Sequence, residues 1–86
     1  MKAYAVIFQK LSPPELLEVV KDYLSTVQHL NFVLCSEVNP SGAFLECHLV
    51  KNINDNNPWI VQIPIGYVLS VADMRKGKHP LGFLGH

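Results

Sequence analysis

The spacing of apolar residues changes after the first ten positions of the chain. Lys2 to Gln9 is rich in β-branched and aromatic residues, a composition that predicts a strand. Ser12, Pro13 and Glu15 then give a helix-start signal: a capping serine, a proline at the first helical position and an acid three residues after the cap. The next apolar residues recur at intervals of three and four, as on one buried helix face: Leu16, Val20, Leu24 and Val27. A helix from Pro13 to Gln28 is therefore predicted.

Two further β-like runs flank a turn signal in the middle of the chain. Asn31 to Val38 and Ala43 to Val50 lie on either side of the sequence Asn-Pro-Ser-Gly at 39–42. A register that places Val38 opposite Ala43 sorts apolar from polar positions better than a register shifted by one residue. In that register the face away from the core carries several apolar side chains: Val33, Cys35, Phe44 and Val50.

The last third of the chain can be interpreted in two ways. Lys51 to Pro58 is polar and predicts a loop, and Trp59 to Ile65 predicts a strand whose tryptophan belongs to the core. Gly66 to Lys76 has a β-favouring composition, which indicates a continuing strand with a bend at Gly66. It also ends in Arg-Lys-Gly, which is typical of a helix C-terminus.

These elements predict a single α+β domain over residues 1–86, because a chain of 86 residues is too short for two cores. One helix in the N-terminal half would pack on an antiparallel sheet in the order β-α-β-β-β. A second short helix near 66–76 would change the order to β-α-β-β-α-β, which resembles the ferredoxin-like fold. That resemblance concerns topology and implies nothing about function.

The charge balance excludes a strong global attraction to nucleic acid or to an anionic membrane. Seven Lys and Arg residues balance seven Asp and Glu residues, and 49% of the chain is apolar, which argues against disorder. The most apolar run, Trp59 to Ala72, is interrupted by polar residues and is too short to span a bilayer. Two cysteines form no disulfide framework. We therefore expect a cytoplasmic protein without a membrane span.

One cluster of chemically capable residues follows from the predicted hairpin register. Cys35 would face Glu46 on the outer face, close to His48, and such a trio could activate a nucleophile or hold a metal. The same alternation is typical of any solvated sheet face, so the favoured interpretation includes no metal, no cofactor and no catalysis. Cys47 would point into the core and away from Cys35, which disfavours a disulfide between them.

A basic segment near the C-terminus is the second candidate site. Arg75, Lys76, Lys78 and His79 could bind a phosphate or a nucleic-acid backbone, although a solvated strand or helix end has the same composition. The apolar tail 80–86 follows, and we expect it to dock on its own domain or on a partner.

The sequence favours a small interaction or regulatory module that forms a homo-oligomer, with a dimer as the simplest assembly. One short helix cannot cover both faces of the predicted sheet, so an apolar outer face would need a partner. Two alternatives remain: phosphate or nucleic-acid binding through 75–79, and a small enzyme that uses Cys35, Glu46 and His48 at a subunit boundary.

Overall fold

The described part of the computed structural model, residues 3–74, is built mainly from antiparallel strands. Strands account for 54% of these residues, and the α-helix and 3-10 turns together account for 17%. The six strands are β1 (Tyr4–Phe8), β2 (Leu24–Val27), β3 (Leu30–Ser41), β4 (Phe44–Leu49), β5 (Trp59–Pro64) and β6 (Val68–Asp73). Within this range one α-helix, α1 (Pro14–Val19), and two 3-10 turns, Lys21–Tyr23 and Ile65–Tyr67, complete the fold. The predicted α+β architecture with a helix packed on the sheet is wrong.

The predicted helix from Pro13 to Gln28 ends after six residues. Val20 has φ −102° and ψ 13°, outside the helical region, and a 3-10 turn then leads directly into β2. The reason lies in the second half of the segment, which is rich in aromatic and β-branched residues that lose side-chain freedom in a helix. Ser12 does not cap the helix, because its hydroxyl donates to the Gln9 carbonyl at 2.8 Å.

The strands form one antiparallel sheet in the order β5-β4-β3-β1-β6. β3 is long enough to have different neighbours along its length: its first half pairs with β1 and β2, and its second half pairs with β4. β2 therefore lies outside the main strand order, beside the start of β3.

The sheet must curl, because its two end strands are consecutive in the chain. A flat sheet would separate β5 from β6 by four strand spacings, about 19 Å. Only Ile65–Tyr67 joins them, and the four residue steps from Pro64 to Val68 span at most about 14 Å. The result is a strongly curved sheet with an inner and an outer face.

The main core fills the inside of this curl. Its buried members come from β1, β3, β4 and β5 and from the end of α1: Val6, Phe8, Val20, Val33, Cys35, Leu45, Cys47, Leu49 and Ile63. A smaller cluster of Ala5, Ile7 and Phe32 lies on the opposite face of β1 and β3. Within α1 itself only the partly buried Leu16 and Leu17 pack against the main core, and Val20 follows as the C-cap residue, so the helix is a minor element.

The β3–β4 hairpin differs from the predicted register by four residues. Val38 pairs with Cys47 rather than with Ala43, and Ser41 pairs with Phe44 across a two-residue loop. The Asn-Pro of the turn signal belongs to β3, and Gly42, with φ 63°, supplies the positive dihedral angle of the loop.

The register also shifts between Cys35 and Glu37, which makes Ser36 a bulge residue. An extra residue in one strand reverses the side-chain alternation beyond it. Cys35 therefore points into the core, opposite Leu49, although Glu37 lies on the outer face as predicted.

The region after Gly66 is a strand and not a helix. β6 covers Val68–Asp73, so the β-favouring composition predicted this element correctly, and the ferredoxin-like order is wrong. None of the helices between residues 3 and 74 has the length and hydrophobicity needed to cross a membrane.

Candidate interaction surface

The predicted trio of Cys35, Glu46 and His48 is not brought together. Glu46 and His48 lie on the outer face of β4, whereas Cys35 is completely buried on the inner face. The distance between His48 Nε2 and Glu46 Oε2 is 2.7 Å, and the imidazole N–H donates to the carboxylate. The bulge at Ser36 separates the thiol from this pair, so the geometry on which the enzyme hypothesis depended is missing.

The two cysteines lie together in the core instead of on opposite faces. A hydrogen bond between the thiols of Cys35 and Cys47 is the main cause that raises the pKa of Cys35, and burial raises it further. The Cys47 thiol also donates to the Leu45 carbonyl at 3.5 Å. Neither cysteine forms a disulfide. Because its pKa is raised, the buried Cys35 thiol stays protonated and is a poor nucleophile.

The outer face of β3, β4 and β5 is a polar surface whose groups satisfy one another. Besides the Glu46–His48 pair, the Asn39 amide donates to Glu37 Oε2 at 2.9 Å. Gln62 on β5 lies opposite Glu46. Within residues 3–74 no three His, Cys, Asp or Glu side chains are arranged to hold a metal ion. This surface resembles the solvated face of a sheet more than a reaction centre.

The four apolar residues predicted on the outer face have different environments. Val33, Cys35 and Val50 are buried, and only Phe44 is exposed, with 42% of its surface accessible. The apolar face on which the sequence-based expectation of self-association rested is therefore not the one that the fold presents.

Large hydrophobic residues are exposed at other positions as well. They are Leu11, Val19, Phe44, Ile53, Trp59, Ile60, Ile65, Tyr67, Leu69 and Val71. Two of them, Leu11 and Leu69, join Leu30 in lining a surface groove of about 490 Å³, together with Gln9 and Lys10. We call this feature the leucine groove. Leu11 is 95% exposed and Leu69 is 51% exposed.

Leu11 reaches the groove because it lies in a tight turn after β1. The Ser12 N–H donates to the Gln9 carbonyl at 3.2 Å, which closes a four-residue turn with Leu11 at its third position. The Gln9 N–H donates to the Tyr67 carbonyl at 2.8 Å and fixes this turn to the 3-10 turn that precedes β6. The exposure of Leu11 is therefore a consequence of an anchored backbone.

Leu69 reaches the groove through a second irregularity in the sheet. Ile7 pairs with Ser70 and Phe8 pairs with Val68, so Leu69 is an extra residue between two pairs. Such bulges redirect a side chain out of the regular alternation. Leu30 begins β3 directly after a hairpin loop, so the three leucines come from three separate parts of the chain.

A second exposed hydrophobic area lies at the start of β5. Trp59 is 42% exposed, contrary to its predicted place in the core, and its ring stacks on Tyr23 with centroids 5.7 Å apart. Lys51 Nζ lies 5.6 Å from the Tyr23 ring centroid, in the range of a cation–π contact. The tryptophan therefore already has partners within the chain.

Two predicted features lie outside the described residues. They are the basic segment with Arg75, Lys76, Lys78 and His79, and the apolar tail 80–86.

Comparison with protein-family models, with curated proteins and with solved structures finds no match to this chain in any of the three.

The leucines of the groove were not predicted as a site. Leu11 carried a signal in the sequence, since it stands between Lys10 and Ser12 and lies outside the helical stripe. Leu69 carried none, because its exposure depends on the bulge, and a bulge follows from the pairing of β1 with β6 across the length of the chain.

Proposed function

We propose that this protein is a small interaction module that associates with a second copy of itself through the leucine groove and the adjoining strand β6. The observation that carries the proposal is the groove itself, in which the exposed Leu11 lies in a hydrogen-bonded turn and the exposed Leu69 lies between two residues that pair with β1. Anchored apolar side chains that line a surface groove are typical of a contact surface.

The energetics favour a contact of this kind. Fully burying a leucine side chain contributes about 1.5–3 kcal/mol, and a two-fold symmetric dimer makes each contact twice. Copies of the chain do not repel one another strongly, because its formal net charge is zero. Lys10 at the side of the groove is its one charged lining residue, so we expect association to depend only weakly on salt.

The proposal retains the cytoplasmic location expected from the sequence. Both cysteines are unbridged thiols, which suits a reducing compartment.

The first test is the molar mass in solution, measured by size-exclusion chromatography with light scattering over a range of concentrations. We expect twice 9.6 kDa at high concentration, in low and in high salt. Leu69→Asp should raise the dimer dissociation constant by about 100-fold or more, because it places a charge in an apolar contact.

Ile53→Asp is the matched control for this substitution. Ile53 is 54% exposed, almost as much as Leu69, but it lies in the loop before β5 and not in the groove. The control should dimerise like the unmodified protein. A monomer at every concentration would refute the proposal, and so would an equal effect of both substitutions.

A further inference from the structure

The end strands of the sheet differ in how well they are protected against pairing with another chain. Exposed edge strands usually carry proline or lysine, which discourage such pairing. β5 ends at Pro64, whereas β6 contains neither proline nor a basic residue. A bulge also discourages pairing, but the bulge of β6 lies at Leu69 and leaves Ser70 to Asp73 in regular register. Among residues 3–74 no strand pairs with the side of β6 that faces away from β1.

The hydrogen-bonding pattern shows which groups β6 presents at this edge. The Met74 N–H donates to the Ala3 carbonyl at 2.8 Å, so Met74 points its main chain toward β1. In an antiparallel pair this direction alternates from residue to residue. Ala72, opposite Ala5, therefore directs its N–H and C=O toward β1. Val71, opposite Val6, directs its N–H and C=O away from β1.

The same reasoning applies to the other end of the sheet. The Ile65 N–H donates to the Ala43 carbonyl at 2.9 Å, so alternate residues along β5 point toward β4. The main-chain groups of Gln62 and Pro64 consequently point away from β4, and Pro64 has no N–H to donate. The β5 edge is therefore less suited to strand addition than the β6 edge.

We propose that two copies of this chain pair β6 with β6 in antiparallel orientation, about a two-fold axis that passes beside Val71. This inference rests on the proposed function and specifies its contact. The Val71 N–H and C=O would bond reciprocally to the same groups of the second copy. The Val71 side chain, 40% exposed in one chain, would be covered by its counterpart. The two sheets would become one continuous sheet.

A second copy is the occupant that the composition of the strand favours. Val68 to Ala72 contains no charge, and the chain as a whole has no net charge. The one charged residue of β6, Asp73, lies at the end of the strand, two residues from the proposed axis. In a two-fold symmetric pair, the N–H and the C=O of Val71 both bond to the Val71 of the second copy, so one partner strand satisfies both groups.

The decisive variant is Val71→Pro. Because the Val71 N–H points away from β1, its removal leaves the β1–β6 ladder intact while blocking strand addition. We expect the dimer dissociation constant to rise at least tenfold, with unchanged far-UV circular dichroism. Gln62→Pro is the matched control on the other end strand, where the lost N–H also points outward, and it should dimerise normally.

A cysteine cross-link tests the register without depending on the stability of the proline variant. Directly opposite Cα atoms in a hydrogen-bonded pair lie about 5.5 Å apart, within the range of a disulfide. Val71→Cys should therefore form a covalent dimer with oxidised glutathione, which takes up the two electrons and is reduced to glutathione. Gln62→Cys should not, and the native cysteines are buried.

The outcomes separate this inference from the proposed function. If Leu69→Asp weakens the dimer but Val71→Pro does not, and Val71→Cys fails to cross-link, the groove forms the contact and strand pairing is refuted. If the unmodified protein is a monomer at every concentration, both proposals are refuted.

Discussion

Single residues change the direction of side chains at two places in this sheet. Ser36 is an extra residue in β3 and turns Cys35 into the core, and Leu69 is an extra residue in β6 and turns its own side chain into the groove. In each case one inserted residue decides whether a neighbouring or its own side chain is buried in the core or exposed on the surface.

The burial of Cys35 predicts low reactivity. A raised pKa leaves little thiolate near neutral pH, and complete burial keeps reagents away until the fold opens. Alkylation of native Cys35 by iodoacetamide at about pH 8 should be at least about 100-fold slower than alkylation of the urea-unfolded chain. Peptide mapping by mass spectrometry measures both rates. Rapid modification of the native protein would restore the hypothesis of a reactive Cys35.

At the scale of elements, two hairpins with two-residue loops organise the chain, and they differ in how visible they are in the sequence. The β3–β4 loop consists of Gly42 and Ala43, and the turn signal at 39–42 in the sequence overlaps it. The β2–β3 loop consists of Gln28 and His29, which have positive φ angles of 51° and 68°. Neither residue is typical of such a turn.

This difference explains why the fold could be predicted only in part. β1, β5 and the strand after Gly66 follow from composition. Without a turn signal at Gln28, nothing in the sequence separated β2 from the helix before it. The apolar residues at 16, 20 and 24 do contact the core as predicted, but from a helix, a turn and a strand.

The strained β2–β3 loop predicts a stabilising double substitution. Replacing Gln28 and His29 by Asn and Gly supplies the residues preferred where both φ angles are positive, and should raise the free energy of unfolding by about 1 kcal/mol. Urea denaturation measures the change. Gly42→Ala is the opposite control: nothing lies within 4 Å of the added methyl, so its destabilisation would report the backbone alone. No gain from Asn-Gly would contradict the assigned loop.

At the scale of the whole molecule, most of the stability depends on contacts between distant parts of the chain. Tyr4 pairs with Asp73, and the main core collects side chains from Val6 to Ile63. Association along β6 would therefore stabilise an end strand of the described sheet, because binding to the native state alone adds to its stability.

Self-association thus predicts a melting temperature that depends on concentration. Between about 5 and 500 µM the midpoint should rise by about 5 °C or more, because a dimer that unfolds to monomers gains stability by mass action. Differential scanning calorimetry measures the shift. Leu69→Asp should abolish the concentration dependence, whereas Ile53→Asp should preserve it. A midpoint independent of concentration in the unmodified protein would contradict a dimer coupled to folding.

The pairing of β1 with β6 has a consequence for synthesis on the ribosome. β1 emerges early, but its partner β6 is the last of the six described strands to appear, and Phe8 reaches its neighbour Val68 only then. At typical translation speeds this takes several seconds. During that time the apolar residues of β1 have one strand fewer to cover them, so the nascent chain passes through a period in which part of its future core is exposed to water.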